Sequence, residues 1–363
     1  MKKVCIVASS LTHGGAEKAA ANQSLIFFDL GYEVHIVTVS SGISYHCKGQ
    51  VYDLGQFKST SDSHLDRLSR LLKFRSFLKA QNFDLIIDNR PRNQAYREFI
   101  ITKFIYKVPV IYMLHSYEVS LAFTKYSWLN TWLYKNKMMV AVSKLGAKKF
   151  KKLFDLQNVN TIYNALDFEA IKEQSEMPLD LPFEGSYIMF YGRIQNSSKN
   201  LTLLLEAYMA SKLIEHQIKL IVIGDGEDLA QLKAYCEELK ISNNVLFTGF
   251  KTNPFPYLKK ALFTVLTSRS EGFGLVIPES LSLGVPVVSV DCEAGPKELI
   301  TPNINGILVD NYSVKALAEA MNKMTLNKNF RRVCSQKAKQ SVSQFSLETV
   351  RNSWKNYLDS QGL

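Results

Sequence analysis

Short apolar runs alternate with longer stretches of helical spacing along this chain, and their order predicts its architecture. Residues 4–8 form an apolar run, followed by Gly14-Gly15-Ala16-Glu17 and an Ala-rich helical stretch to about Leu30. After Gly31-Tyr32 a second apolar run covers residues 34–39, which completes a strand, glycine turn, helix and strand in βαβ order. Strand-like runs recur at 84–88, 110–114, 138–142 and 160–162, with helical patterns at 65–80 and 147–154 among them. A second series of runs occupies 187–191, 219–223, 245–247, 263–266 and 286–290, with helices at 201–210 and 229–239. Between the series, Glu176-Met177-Pro178-Leu179-Asp180-Leu181-Pro182-Phe183-Glu184-Gly185 reads as a linker.

This order predicts an α/β protein of two parallel-sheet domains in tandem with a cleft between them. We assign residues 1–165 to the first domain, 166–345 to the second, and 346–363 to a C-terminal helix packing back on the first. Ligands in such sheets sit at the carboxyl ends of the strands. The length of 363 residues agrees, since two domains of about 150–200 residues each are expected.

Charge changes the picture more than composition does. The net charge is +11, yet residues 1–164 hold 23 Lys/Arg and 11 Asp/Glu, a balance of +12. The remainder holds 21 basic and 22 acidic residues. The basic field therefore belongs to the first half, and it points to an anionic partner there: a membrane surface, lipid phosphate or nucleic acid. The aromatics do not interleave with basic residues along the sequence as a stacking platform would require, which argues against nucleic acid. No run of about 18 apolar residues occurs, so no spanning helix is expected. Residues 1–10 read as a first strand rather than a signal peptide. The five cysteines are scattered, with no CxxC pair, which predicts reduced thiols and no zinc cluster.

Candidate chemistry concentrates in Ser268-Arg269-Ser270-Glu271-Gly272-Phe273-Gly274-Leu275-Val276-Ile277-Pro278-Glu279. Gly272 and Gly274 let the backbone approach a ligand closely, and Pro278 suits the first turn of a helix. Free N–H groups at such a turn form an anion site. Glu271 precedes the turn and Glu279 lies inside it, so both are expected to face a ligand held there. Phosphate at one point and hydroxyls at others describe a nucleotide sugar. Arg193 and Lys199, in a polar loop after the run 187–191, are placed for a diphosphate. His115 follows the run 110–114 and is read as an active-site polar contact.

Other features divide more evenly. Gly14-Gly15 is either a plain strand-to-helix turn or a site where the chain passes under a phosphate or sugar. The GxGxxG fingerprint is absent there, which argues against a nicotinamide cofactor. Gly224-Asp225-Gly226 reads as a structural turn. Residues 143–154 form a capped amphipathic helix in which Leu145, Phe150, Leu153 and Phe154 oppose Lys144, Lys148, Lys149, Lys151 and Lys152. Such a helix suits an anionic lipid surface, or else the core with a solvated lysine face.

Taken together, the chain resembles glycosyltransferase family 4 over nearly its whole length. Gly14-Gly15-Ala16-Glu17 is similar to the family's GGAE loop, and Ile162-Tyr163-Asn164-Ala165-Leu166-Asp167 to its PNGVD hinge, with Ala165 in place of the usual glycine. Gly192-Arg193 with Lys199-Asn200 matches its GR…KN stretch, and Glu271 to Glu279 its EX7E motif. The resemblance implies the GT-B fold: two Rossmann-like domains, the first for acceptor and the second for nucleotide sugar, facing a central cleft. It implies a retaining, metal-independent transferase without a cofactor. Arg193 and Lys199 would then neutralise the donor diphosphate, Glu279 would bind ribose, and Glu271 would hold the donor sugar near its reacting carbon. Gly15 and the backbone of Gly272, Phe273, Gly274, Leu275 and Val276 would line the donor site, with His115 near the sugar.

The segment from Cys292 to Leu299 resembles bacterial enzymes that build surface polysaccharides or lipid-linked oligosaccharides from UDP-sugars. This implies a UDP-hexose or UDP-N-acetylhexosamine donor and a lipid-linked or polysaccharide acceptor. We expect a cytoplasmic enzyme held at the inner face of the cell membrane through the helix carrying Lys144 to Lys152, with no nucleic-acid partner. Two alternatives stay open at this point: a GT-B sugar-nucleotide epimerase and a non-catalytic binder of anionic ligands.

Overall fold

The computed structural model describes residues 1–59, 63–179, 181–310 and 312–363; Asp180, within the linker read from the sequence, lies outside them. The chain divides into two compact units, Met1–Ala165 with Leu347–Leu363, and Leu166–Ser346. The first holds seven parallel strands: β1 Lys3–Ala8, β2 Glu33–Thr38, β3 Gln50–Asp53, β4 Leu85–Asp88, β5 Val110–Leu114, β6 Met138–Ala141 and β7 Val159–Thr161. They lie in the order β3-β2-β1-β4-β5-β6-β7. The second unit holds β8 Tyr187–Tyr191, β9 Lys219–Ile223, β10 Val245–Gly249, β11 Thr264–Leu266, β12 Val287–Val290 and β13 Gly306–Val309, in the order β10-β9-β8-β11-β12-β13. Both sheets are doubly wound, as expected for a Rossmann-like pair of domains.

The central strands read as near-continuous apolar runs because helices cover both faces of a parallel sheet. Cys5, Ile6 and Val7 on β1 are buried, as are Ile188, Met189 and Phe190 on β8. In the first unit the helix Gly15–Asp29 lays Ala19, Ala20 and Ala21 inward, small enough to bring the helix close to the sheet. Phe27 of that helix meets Trp354 edge-on at 5.3 Å. Trp354 lies on the helix Leu347–Gln361, which also buries Val350, Tyr357 and Leu358. The last helix is therefore part of the first unit's core.

One open alternative is resolved here, and one sequence pattern gains a spatial counterpart. The helix Lys144–Leu153 is the core-packed kind: Phe150 and Phe154 are buried, with ring centroids 5.1 and 4.6 Å from Phe123. Its lysine face stays at the surface, but most of its apolar face is spent inside and cannot also enter lipid. The pattern is that of aromatic and basic residues, which do meet in space. Lys103 Nζ stands 4.0 Å over the Trp132 ring and Lys125 Nζ 5.2 Å over Tyr126. Lys125 and Tyr126 are neighbours in sequence, whereas Lys103 and Trp132 meet only because their two elements pack side by side, which linear spacing does not reveal.

Candidate active site

A doubly wound sheet opens a crevice where its strand order reverses, at the carboxyl ends of the two strands involved. In the second unit those strands are β8 and β11, and nearly every residue singled out there follows one of them. Gly192 and Arg193 follow β8; the segment Thr267 to Glu279 follows β11. The two loops are tied together. Thr267 Oγ1 donates to the Lys199 carbonyl at 2.8 Å, and Arg269 N to the Ser198 carbonyl at 2.9 Å.

Lys199 is not in an open loop as expected. It ends a one-turn helix, Asn196–Lys199, closed by Asn200 in the left-handed region at φ 51°. Its Nζ donates to Glu271 Oε1 at 2.6 Å, and Ser268 Oγ donates to the same oxygen at 2.6 Å. The acid and the cation, 72 residues apart, are thus one pair in a half-buried position. Arg193 is exposed on the loop beside it.

Glu279 lies on the helix Val276–Ser282 and is only 5 % exposed. The Tyr191 hydroxyl stands 2.8 Å from its Oε2 and 3.0 Å from the Val276 carbonyl oxygen. Burial and the neighbouring carboxylate raise the Tyr191 hydroxyl's pKa well above its ordinary value, so it acts as a neutral donor. Tyr191 escaped the sequence reading because the last residue of an apolar strand reads as core. Phe273 divides between two uses. Its ring is buried 5.3 Å from Phe345, so its side chain serves packing and only its backbone can meet a ligand. Gly274 adopts φ 81°, which explains the glycine without any demand for space around it.

Gly224-Asp225-Gly226 supports this site from behind. A Cβ at Gly224 would lie 1.9 Å from the Gly192 carbonyl oxygen, and one at Gly226 2.1 Å from the Ile194 carbonyl oxygen. The Arg193 loop rests directly on this turn, with Ile194 N donating to the Asp225 carbonyl at 2.9 Å. The glycines are structural, and what they position is the cationic loop.

In the first unit the strand order reverses between β1 and β4. Gly14, at φ 125°, precedes the helix that Gly15 begins, just beyond β1. Asn89 follows β4 and His115 follows β5. Asn89 Nδ2 donates to Gln23 Oε1 at 2.8 Å, which leaves Asn89 Oδ1 to accept from His115 Nε2 at 2.7 Å. The histidine is therefore the Nε2–H tautomer. Its Nδ1 is buried, bare and without a hydrogen-bond partner, an acceptor for an incoming O–H or N–H. Asn89 and Gln23 are positioning residues that the sequence reading missed. The available signal was Asn22-Gln23-Ser24, polar residues inside an otherwise apolar helix, all buried.

Burial lowers the His115 pKa from its ordinary 6.5 to about 3, with the Arg92 charge adding to the effect. The imidazole is neutral across the physiological range. Because the folded value lies below the unfolded one, the unfolded chain takes up this proton first as pH falls. Stability tied to His115 is thus complete above pH 6.5 and is lost progressively toward pH 3. We expect urea melts of the wild type to weaken over that window more steeply than those of His115→Gln, by at most about 1.4 kcal/mol per pH unit. Parallel pH profiles for the two proteins would contradict this.

Two doubly wound units covering the whole chain, with polar residues gathered at the strand reversal of each, define the GT-B class of fold. Solved structures of that class align over nearly the full length. A Staphylococcus aureus TarM mutant solved with Fondaparinux, alpha-GlcNAc-glycerol and UDP gives a TM-score of 0.78 at 16 % identity, over 98 % of this chain and 99 % of that one. Anabaena HepE solved with UDP and glucose gives 0.76 at 20 % identity, over 99 % and 100 %. Residues 13–170 match the family model "Glycosyltransferase Family 4", and residues 172–341 match "Glycosyl transferases group 1". The chain belongs to the family 4 glycosyltransferases. Among similar proteins is the Campylobacter jejuni N-acetylgalactosamine-N,N'-diacetylbacillosaminyl-diphospho-undecaprenol 4-alpha-N-acetylgalactosaminyltransferase, 26 % identical over 99 % of this chain and 100 % of that protein. The lipopolysaccharide 1,6-galactosyltransferase of Escherichia coli is 29 % identical over 46 % of this chain and 45 % of that protein.

Proposed function

We propose that this glycosyltransferase moves a hexose or N-acetylhexosamine from a UDP-sugar to a membrane-linked saccharide acceptor, as a step in building a bacterial surface polysaccharide or lipid-linked oligosaccharide. The observation that carries the reading is the Lys199–Glu271 pair at the strand reversal of the second unit, with Glu279 held on the adjoining helix. In this reading the second unit binds the donor. Lys199 and Arg193 face its diphosphate, Glu279 accepts from ribose hydroxyls, and Glu271 accepts from hydroxyls of the transferred sugar. The backbone around Gly272, Gly274, Leu275 and Val276 adds N–H donors, and in the first unit Gly15 lies near phosphate.

In transfer, the bond from the sugar's C1 to the β-phosphate oxygen breaks and an acceptor oxygen bonds to C1. The acceptor's proton leaves toward the departing phosphate. Charge accumulates on the diphosphate as it leaves, so fixed cations there stabilise the transition state more than the ground state. That is the role we assign to Lys199 and Arg193 in place of a metal; retention at C1, which the family resemblance implies, would require the acceptor to enter on the face the diphosphate leaves. His115 Nδ1 accepts from a sugar hydroxyl while its neutrality avoids a competing cation. Support for uridine comes from the UDP bound to TarM and HepE, and support for a lipid-linked acceptor from the undecaprenol substrate in the Campylobacter protein's name. The enzyme would work at the cytoplasmic face of the membrane, where such donors are made.

A panel of UDP-, GDP- and ADP-sugars, read by thermal shift and by donor hydrolysis, tests this. One or two UDP-sugars should stabilise the protein and be hydrolysed slowly. Preference for another nucleotide would reject the donor, and formation of a new UDP-sugar isomer without acceptor would establish an epimerase instead.

A further inference from the structure

The first unit carries an exposed aromatic surface for which the transfer chemistry has no use. The short helix Ala95–Ile100 and the helix Ser127–Tyr134 border a groove of about 650 Å3 lined by Tyr96, Phe99, Tyr126, Trp128 and Trp132, with Ala95 and Leu129 at its floor. Tyr96 is 77 % exposed, Trp128 70 % and Trp132 54 %. Phe104 extends the surface, its ring 5.6 Å from Phe99, which stacks on Trp132 at 6.0 Å. Trp128 and Trp132 share one face of their helix while Leu129 and Leu133 are buried on the other, so the core fixes the indoles outward. Contiguous exposed apolar surface of this kind marks an interaction site.

Cations border the same surface. Lys103 and Lys125 stand over Trp132 and Tyr126, and Lys107 Nζ donates to the Lys103 carbonyl at 2.9 Å. Glu98, the acid on the helix Ala95–Ile100, is buried and bound by Arg97 and Arg90, so it offers no counter-charge at the surface. Amphipathic indole and phenol rings mixed with lysines match the boundary between headgroups and acyl chains of an anionic bilayer. A second copy of this chain fits poorly, since a two-fold contact would bring two lysine-bordered patches of like charge together.

We propose that this aromatic surface docks the enzyme on an anionic phospholipid bilayer, with Trp128 and Trp132 entering the headgroup region and Lys103, Lys107 and Lys125 meeting lipid phosphates. The proposal deepens the membrane-linked acceptor reading, and it relocates apolar contact from the helix Lys144–Leu153, whose phenylalanines are consumed by the core. Among the described residues no helix is long and apolar enough to cross a membrane.

The experiment mixes the full chain with vesicles of phosphatidylcholine plus phosphatidylglycerol, and separately with phosphatidylcholine alone. Of the three tryptophans only Trp354 is buried, so emission reports directly on Trp128 and Trp132. We expect co-sedimentation and a blue shift with the anionic vesicles, weakening with salt. Trp128→Ser/Trp132→Ser should lower the partition coefficient by about ten-fold or more. Lys103→Glu/Lys125→Glu, chosen as a second variant on exposed charge, should lower it comparably with an unchanged melting temperature. Absence of a blue shift, wild-type partitioning of both variants, or a dimer that the serine variant dissolves without any vesicle binding would overturn the proposal. Donor hydrolysis measured on the same samples, without vesicles, reports on the transferase reading alone, so the two fail separately.

Discussion

Glu271→Gln is expected to lower kcat/KM for sugar transfer by about 10²–10³ while the protein stays folded. Glutamine keeps the shape and still accepts from Ser268 Oγ, which lies 2.6 Å from Glu271 Oε1. What it removes is the negative charge beside Lys199 and the strong acceptor for a sugar hydroxyl. Because the side chain packs around the loop beneath Gly295, whose added Cβ would fall 2.9 Å from Glu271 Cβ, its position is set by backbone and survives the change. Steady-state kinetics with the preferred donor, beside a thermal melt, is the measurement. Full activity in the variant would remove Glu271 from the chemistry and leave it a structural partner of Lys199.

Lys199→Ala should cost a comparable factor, about 10²–10³, and chiefly in kcat. The reason lies in when the charge is needed. Bound UDP-sugar already carries its diphosphate charge, but the bond-breaking step adds charge on the leaving oxygen, and a fixed ammonium stabilises that increment. Arginine should rescue poorly, because a one-turn helix aims a point charge where a planar fork does not fit the same contact. The pair is coupled at 2.6 Å, so Lys199→Ala/Glu271→Gln should lose less than the product of the single losses. Strictly multiplicative losses would show that the two residues act apart, and an unchanged kcat would sink the leaving-group role.

Most of the strand framework was legible because central parallel strands are apolar on both faces. Runs 187–191 and 219–223 coincide with β8 and β9. Two of the four edge strands, β3 and β13, went unseen. Gln50-Val51-Tyr52-Asp53 is half solvated and mixed in character, and Gly306-Ile307-Leu308-Val309 follows a turn and is only partly buried. For the site, residues at strand ends stood out when they were charged or glycine, as Arg193, Glu271 and Gly274 did. Their contacts did not, since Lys199 and Glu271 meet only through tertiary structure. Tyr191 was hidden by its apolar strand neighbours, and Gln23 lay in a short polar run, Asn22-Gln23-Ser24, whose burial only the fold reveals. The Trp128–Trp132 spacing was visible, but nothing in a linear pattern distinguishes an outward indole from a core one.

The first unit is stitched from two separate stretches, Met1–Ala165 and Leu347–Leu363, with Trp354 seated against Phe27. Because Leu166–Ser346 lies between the two stretches, the second unit is synthesised before the segment that closes the first. The groove beneath Trp354, bounded by Ala19, Ile26 and Met113, therefore remains open to water until the final helix emerges. Vectorial translation thus makes the lobe that emerges first the last to mature, and exposes its apolar seam to chaperones throughout elongation.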